Sequence, residues 1–282
     1  IIPVQSSDIK SISIQSDSAS FAIRTAEDPT SWTISRPSLQ PTDKQAATAF
    51  VETLLSLEDV SAAPLSDEEV LTLNRADNAI RIDISHTLPS SPFSAFFFVT
   101  HNRDGKPTEL SVCVPLERLR HIIKSDKIPA DFLTRESFAA IRDKSIIAIP
   151  SDSLSSISKR TGTVEETVVR GHDNLWFSAK PLPWEANRVT LDLLEKLFAD
   201  FKSARIETLF TANAASYGLL PAVSEFSIST QNAEAPVVIL LLGNRLADGS
   251  TYLQIKGLDA VFIISPDAAK ILSLPLITKP ET

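Results

Sequence analysis

The chain contains no methionine, one cysteine, four histidines and only seven glycines in 282 residues. A single thiol, Cys113, excludes an intrachain disulfide and a cysteine-based zinc site. The histidines are His86, His101, His121 and His172, and no two stand at metal-ligand spacing, so no metal is expected and all four read as surface or edge residues. So few glycines leave little material for a phosphate-cradling loop. There is no Gly-x-Ser-x-Gly elbow, Walker loop or Gly-x-Gly-x-x-Gly, and therefore no expected nucleotide cofactor. No stretch is apolar for about 18 residues, as a membrane helix requires. Excess positive charge is missing too. The net charge is −8 and the tightest basic group is Arg118, Arg120 and Lys124, too sparse for a nucleic-acid surface. The missing methionine and the start at Ile1-Ile2-Pro3-Val4 suggest a fragment or processed form.

What is present is globular in composition, 43% hydrophobic and 22% charged, and long enough for two domains. Moved forward by about 144 positions, the first half meets landmarks in the second. Trp32 falls on Trp176, Pro37 on Pro181, and Ile82 and Ile84 on Phe226 and Ile228. Phe96, Phe97 and Phe98 fall on Leu240, Leu241 and Leu242, and Asp104-Gly105 falls on Asp248-Gly249. Internal similarity at one period marks a repeated unit. The expected class is α+β: two tandem repeats, each an antiparallel sheet with one main packed helix and a short closing helix. The first, diverged repeat is placed at 1–124, a connector at 125–141 and the second repeat at 142–282.

Local patterns fill in each repeat. Ile9, Ile12 and Ile14, then Phe21 and Ile23, alternate as a hairpin, and Ser31 to Ser35 is a third strand. Thr42 or Asp43 caps a helix whose Ala47, Phe50, Val51, Leu54 and Leu57 form one stripe. Asn187 caps its counterpart, with Leu191, Leu194, Phe198 and Phe201. Strands follow at 79–85, 95–101 and 109–114, and again at 225–229, 236–242, 252–255 and 261–264. Val237 to Leu242, apolar without alternation, reads as a strand covered on both faces. Pro115 is expected to open a short helix with Leu116, Leu119 and Ile123 on one side, and Pro266-Asp267 another.

Chemistry is harder to find. Serines without an identifiable base and acid are only polar residues, and no catalytic residue is assigned. Asp67-Glu68-Glu69 reads as the wet side of a turn or helix start, and Glu165-Glu166 as the solvent edge of a strand. Cys113, opposite Val112 and Val114 on its strand, reads as a small packing residue. Trp32 and Trp176 read as fillers of the sheet–helix junction. One segment has a sharper reading: in Lys180-Pro181-Leu182-Pro183-Trp184, the residues Leu182, Pro183 and Trp184 form a candidate partner-docking point on a stiff loop, weighed against a Trp folded onto its own sheet.

Several of these elements together resemble the domain of unknown function family 4340. They are Arg142-Asp143-Lys144 before a strand, Trp176, the helix from Val189 to Phe201, Tyr217-Gly218-Leu219, Leu241-Leu242-Gly243 and Val261-Phe262-Ile263-Ile264. The first repeat is a diverged version that lacks both glycine motifs, with Val99 at the position of Gly243. The resemblance implies a bacterial, extracytoplasmic protein held by one N-terminal membrane helix, periplasmic or on the outer face of the inner membrane. It further implies an auxiliary role beside a gliding-motility-type ABC transporter, with permease components as protein partners. It carries over no catalytic residue. The expected function is therefore a non-enzymatic accessory or scaffold protein; the alternative is a small-molecule or glycan-binding module using the cleft between the repeats.

Overall fold

The computed structural model describes residues 1–16, 19–25, 31–73, 79–88, 92–101, 107–124, 133–181, 184–211, 213–231 and 238–278. Asp104-Gly105, Leu182, Pro183, Pro236, Val237 and residues 125–132 of the expected connector lie outside the described residues, as does the side chain of His101. The chain divides into two compact units, Ile1–Asp143 and Lys144–Thr282.

In the first unit, β1 (Ile9–Ser16) and β2 (Ala19–Thr25) form a hairpin, extended by β3 (Trp32–Arg36) and β4 (Gln40–Pro41). Then come α1 (Lys44–Leu55), β5 (Ser61–Pro64), α2 (Asp67–Thr72), β6 (Ile80–His86), β7 (Phe93–His101), β8 (Pro107–Val114), β9 (Leu119–Lys124) and α3 (Arg135–Ile141). All nine strands join one antiparallel sheet, ordered β4-β3-β2-β1-β6-β7-β8-β9-β5. Alternation selects its inner face: Ile12, Ile14, Phe21, Ile23, Ile34, Ile82 and Ile84 are buried. Asp43 caps α1 by accepting the Ala46 N–H at 2.9 Å, and the expected stripe, Leu57 included, is buried. Phe138 of α3 stacks on Phe21 with centroids 4.5 Å apart and meets Phe50 edge-on at 6.2 Å. On the opposite face, α2 begins with a capping box between Ser66 and Glu69. Leu65, Leu73 and Val70 then cover Phe96 and Cys113.

The second unit contains β10 (Ser145–Ile147), β11 (Leu154–Thr161), β12 (Val164–Arg170), β13 (Trp176–Lys180), β14 (Glu185–Ala186) and α4 (Arg188–Ala199). These precede β15 (Phe201–Lys202), β16 (Arg205–Thr208), β17 (Ser224–Thr230), β18 (Val238–Arg245), β19 (Thr251–Ile255), β20 (Val261–Ile264), α5 (Pro266–Ser273) and β21 (Ile277–Thr278). Its large sheet is ordered β13-β12-β11-β17-β18-β19-β20-β16, with β10-β15 and β14-β21 as separate pairs. The order matches that of the first unit strand for strand from β3 to β5. Asn187 caps α4 through the Thr190 N–H at 3.2 Å, and Leu191, Leu194, Phe198 and Phe201 are buried as expected.

Pairing registers fix which residues correspond. The first hairpin closes at Ser16↔Ala19 and the second at Thr161↔Val164, a shift of 145 residues. From there Phe21↔Ile14↔Ile82↔Ala95 runs across one sheet as Glu166↔Lys159↔Phe226↔Leu240 runs across the other. The helices and Trp32/Trp176 keep the shift of 144. Along β7 the shift is again 145, so Phe98, not Val99, stands where the second unit has Gly243.

The expected α+β class is overturned. Strand accounts for 48% and helix for 24%, in antiparallel sheets of nine and eight strands, so this is a mostly antiparallel β structure and not a pair of helix-packed repeats. The local patterns hid this because the joins that merge hairpin and meander into one sheet, such as Ile12↔Ile84 and Ile157↔Ile228, are long-range pairings. The helix expected after Pro115 is a turn followed by β9. Leu116 is exposed, while His121 and Ile123 of β9 face inward, and an apolar run this short fits either period. His121 is buried and shares a 3.0 Å contact with Asp59, not the edge position expected. β18 is not covered throughout: Ile239 and Leu241 are only half-buried. α3, inside the expected connector, packs on α1 of the first unit.

Candidate functional site

The inner face of the second sheet is polar at one end. Lys159 on β11 is 8% exposed. Its ammonium donates to the carbonyls of Ser273 and Leu274 at 2.9 and 2.8 Å, where α5 ends. It also lies 5.6 Å from the centroid of Phe226. These bonds use two of its three protons and match a cation to the negative end of the helix. Burial pulls the Lys159 pKa down, opposed by the Glu166 carboxylate on the next strand. Glu166 in turn accepts the Leu276 N–H at 2.8 Å, so it is a tether for the chain after α5 and not the free solvent edge its sequence suggested.

Beyond Lys159 the polar row continues. Ser224 donates its hydroxyl proton to the Arg160 carbonyl at 3.1 Å, so in the 3.0 Å contact between Ser224 and Thr161 the threonine is the donor. Thr251 of β19 is 7% exposed, and its hydroxyl has no hydrogen-bond partner among the described residues. These side chains, with Leu242, Arg245, Lys270 and Leu272, line a cavity of about 360 Å³ between the sheet and α5. Lys270 forms no ion pair among the described residues, and the Arg245 Nε–H donates to the Gly249 carbonyl at 3.3 Å. Among the described residues no carboxylate lines this cavity.

The two glycine motifs that carry the family resemblance meet at β18, whose Leu242 and Gly243 also line the cavity. Gly218 has φ +68°, and a β-carbon there would lie 2.3 Å from Asn244 Oδ1. One on Gly243 would lie 2.1 Å from the Tyr217 carbonyl oxygen. Neither position admits a side chain, so the loop carrying Tyr217 lies directly on β18, where Tyr217 packs edge-on against Tyr252 at 4.9 Å.

The residues singled out by sequence fall elsewhere. Trp184 is half-buried, and its backbone N–H donates to the Pro181 carbonyl at 3.4 Å; its docking companions Leu182 and Pro183 lie outside the described residues. Trp176 fills the junction expected of it: its indole N–H donates to Glu195 of α4 at 2.7 Å, and the Arg170 guanidinium lies 5.1 Å from its centroid while pairing with Glu195 at 2.6 Å. Cys113 is buried beside Arg120 and Glu69 at a second cavity of about 490 Å³. Burial pushes its thiol pKa up against the opposing pull of Arg120, which keeps it a neutral packing group. Among the described residues no group of three or more His, Cys, Asp and Glu could hold a metal.

Sequence reading missed Lys159, Ser224 and Thr251. The available signal was a lysine at an inward position of the alternation Leu154, Ile157, Lys159. A uniform shift of 144 concealed it by setting Lys159 against Gln15, whereas the register sets it against Ile14. Comparison of the chain with protein-family models, curated proteins and solved structures returned no match.

Proposed function

We propose that the chain is a non-catalytic accessory or scaffold subunit of an ABC-type transport complex in the bacterial envelope, extracytoplasmic and anchored by a membrane helix in the full-length protein. The observation that carries the non-catalytic part is the employment of buried charge. Arg142 donates through Nε to Gln40 at 2.9 Å and also to the Asp143 carbonyl. Arg170 holds Glu195 and the Ser151 carbonyl, and Lys159 holds the end of α5. Each of these cations ties its own unit together. The envelope setting and the transporter partner rest on the family resemblance of Trp176, Tyr217-Gly218-Leu219 and Leu241-Leu242-Gly243.

In-cell crosslinking and purification of the full-length protein from detergent-solubilised membranes test this reading. The expected result is co-isolation with permease components in fixed proportion. Recovery of the protein solely as a free monomer overturns it.

A further inference from the structure

We propose that the cavity between α5 and the second sheet binds a small organic anion, a monocarboxylate with a short apolar body. The claim rests on the cavity alone and stands or falls separately from the accessory role.

Three observations converge. The lining is one-sided in charge: among the described residues Lys159, Arg245 and Lys270 face it and no carboxylate does. It also presents unused donors. The Thr251 hydroxyl, on a residue 7% exposed, has no partner among the described residues, and Lys159 keeps one proton beyond its two carbonyl acceptors. Lining the cavity, that hydroxyl is free to donate to a ligand there. Lastly, the fold does not demand these groups. At the positions of Lys159, Ser224 and Thr251 the first unit carries Ile14, Ile80 and Leu110 on the same strands. A sheet that closes with apolar residues there has acquired, in its second version, a polar pocket.

The remaining lining sets the body of the ligand. Val223, Leu242, Ala269 and Leu272 form an apolar wall, and about 360 Å³ accommodates a small molecule of a few carbons beyond its charged head. A single negative charge fits better than a phosphate dianion. The backbone facing this end is the carboxyl terminus of α5, whose carbonyls repel anions, and not a helix amino terminus with free N–H groups. Lys159 neutralises that end, leaving Lys270, Arg245 and Thr251 to hold one carboxylate.

Isothermal titration of the purified chain with hexanoate, hexanol, hexylamine and inorganic phosphate tests the proposal. Hexanoate is expected to bind, and to bind more weakly as sodium chloride rises from 50 to 500 mM; hexanol, hexylamine and phosphate are each expected to bind at least about ten-fold more weakly, the factor one charge-assisted bond commands. Lys270→Gln and Arg245→Gln, at exposed positions that leave the core intact, should each weaken hexanoate about five-fold or more. Thr251→Leu, the first unit's own residue, should abolish binding without loss of Tm. Hexanol binding as well as hexanoate overturns the anion assignment, and phosphate matching hexanoate overturns the apolar body. Hexanoate affinity indifferent to both charge substitutions removes the site altogether.

Discussion

The two units build the same sheet order and close it with opposite chemistry. In the first, the closing helix sits on rings: Phe138 on Phe21, flanked by Phe50. In the second, the counterparts of Phe21 and Ile14 are Glu166 and Lys159, and beside the buried Ala268, Ala269 and Leu272 of α5 the chain at its end is held through the Ser273 and Leu274 carbonyls and the Leu276 N–H. The arrangement reverses at the tryptophans. There the second unit is charged, with Arg170 and Glu195 packed around Trp176, whereas the first has Thr25 and Val51 in their places and a cavity of about 440 Å³ beside Trp32. One scaffold thus tolerates either apolar contact or hydrogen-bonded charge at a given junction.

The most disruptive way to break that comparison is to remove the aromatic closure. Phe138→Ala should cost about 3–5 kcal/mol, the transfer energy of a ring plus the cavity it leaves. The loss should be confined to the first unit, seen as faster hydrogen exchange in α1 and β2 while α4 and β11 keep their protection. Equal loss of protection in both units would show that they unfold as one and that the closures are not separate.

Breaking the ionic closure should do less. Lys159→Ala leaves the Ser273 and Leu274 carbonyls without their cation and Glu166 without its neighbour, worth about 2–3 kcal/mol in the second unit by denaturant unfolding. Transplanting the other solution sharpens the point. Lys159→Ile with Glu166→Phe replaces both charges by the first unit's residues and should recover most of that loss, because apolar packing commonly matches hydrogen-bonded charge of similar volume. A double variant no more stable than Lys159→Ala would mean that α5 cannot seat on an apolar row, and that the two closures are not interchangeable. Smaller again is Glu195→Gln at the tryptophan junction. It keeps the shape and the acceptor for the Trp176 indole but removes the charge facing Arg170, for about 1–2 kcal/mol and a shift in tryptophan fluorescence.

How much of this was readable without coordinates divides along physical lines. Much of what is written within a few residues was legible: the helix caps at Asp43 and Asn187, both buried stripes, the Ile-x-Ile strands and the packing role of both junction tryptophans, though not the short apolar run after Pro115. Properties decided by distant partners were not. The merging of hairpin and meander into one sheet depends on residues some seventy positions apart, such as Ile12 and Ile84. His121 looked like an edge residue because nothing local announces Asp59 as its partner or Val112 as its neighbour across the sheet. The candidate cavity was hidden by a single-residue slip. Side chains in a strand alternate faces, so setting Lys159 against Gln15 instead of Ile14 turns an inward charge into an apparently outward one.

The finest test of the contrast uses pH, since the second unit closes on Lys159, a titratable group with a shifted pKa. Burial lowers the Lys159 pKa below the ordinary lysine value of 10.5, and Glu166 only partly restores it. Between the lowered folded value and that ordinary value, the unfolded chain holds its proton on Lys159 while the folded chain releases it. The unfolded state then binds more protons, and the stability contribution of Lys159 rises with pH across this window and is lost as pH falls through the folded value. Other lysines and tyrosines titrate in the same range, so the informative quantity is the difference from Lys159→Met, in which they cancel. Unfolding of both proteins between pH 8 and 10.5 should show the wild type gaining on the variant as pH rises, by less than any of the substitutions above. A flat difference would mean that the lysine keeps its ordinary affinity for a proton, and that the bonds to Ser273 and Leu274 offset its desolvation in full.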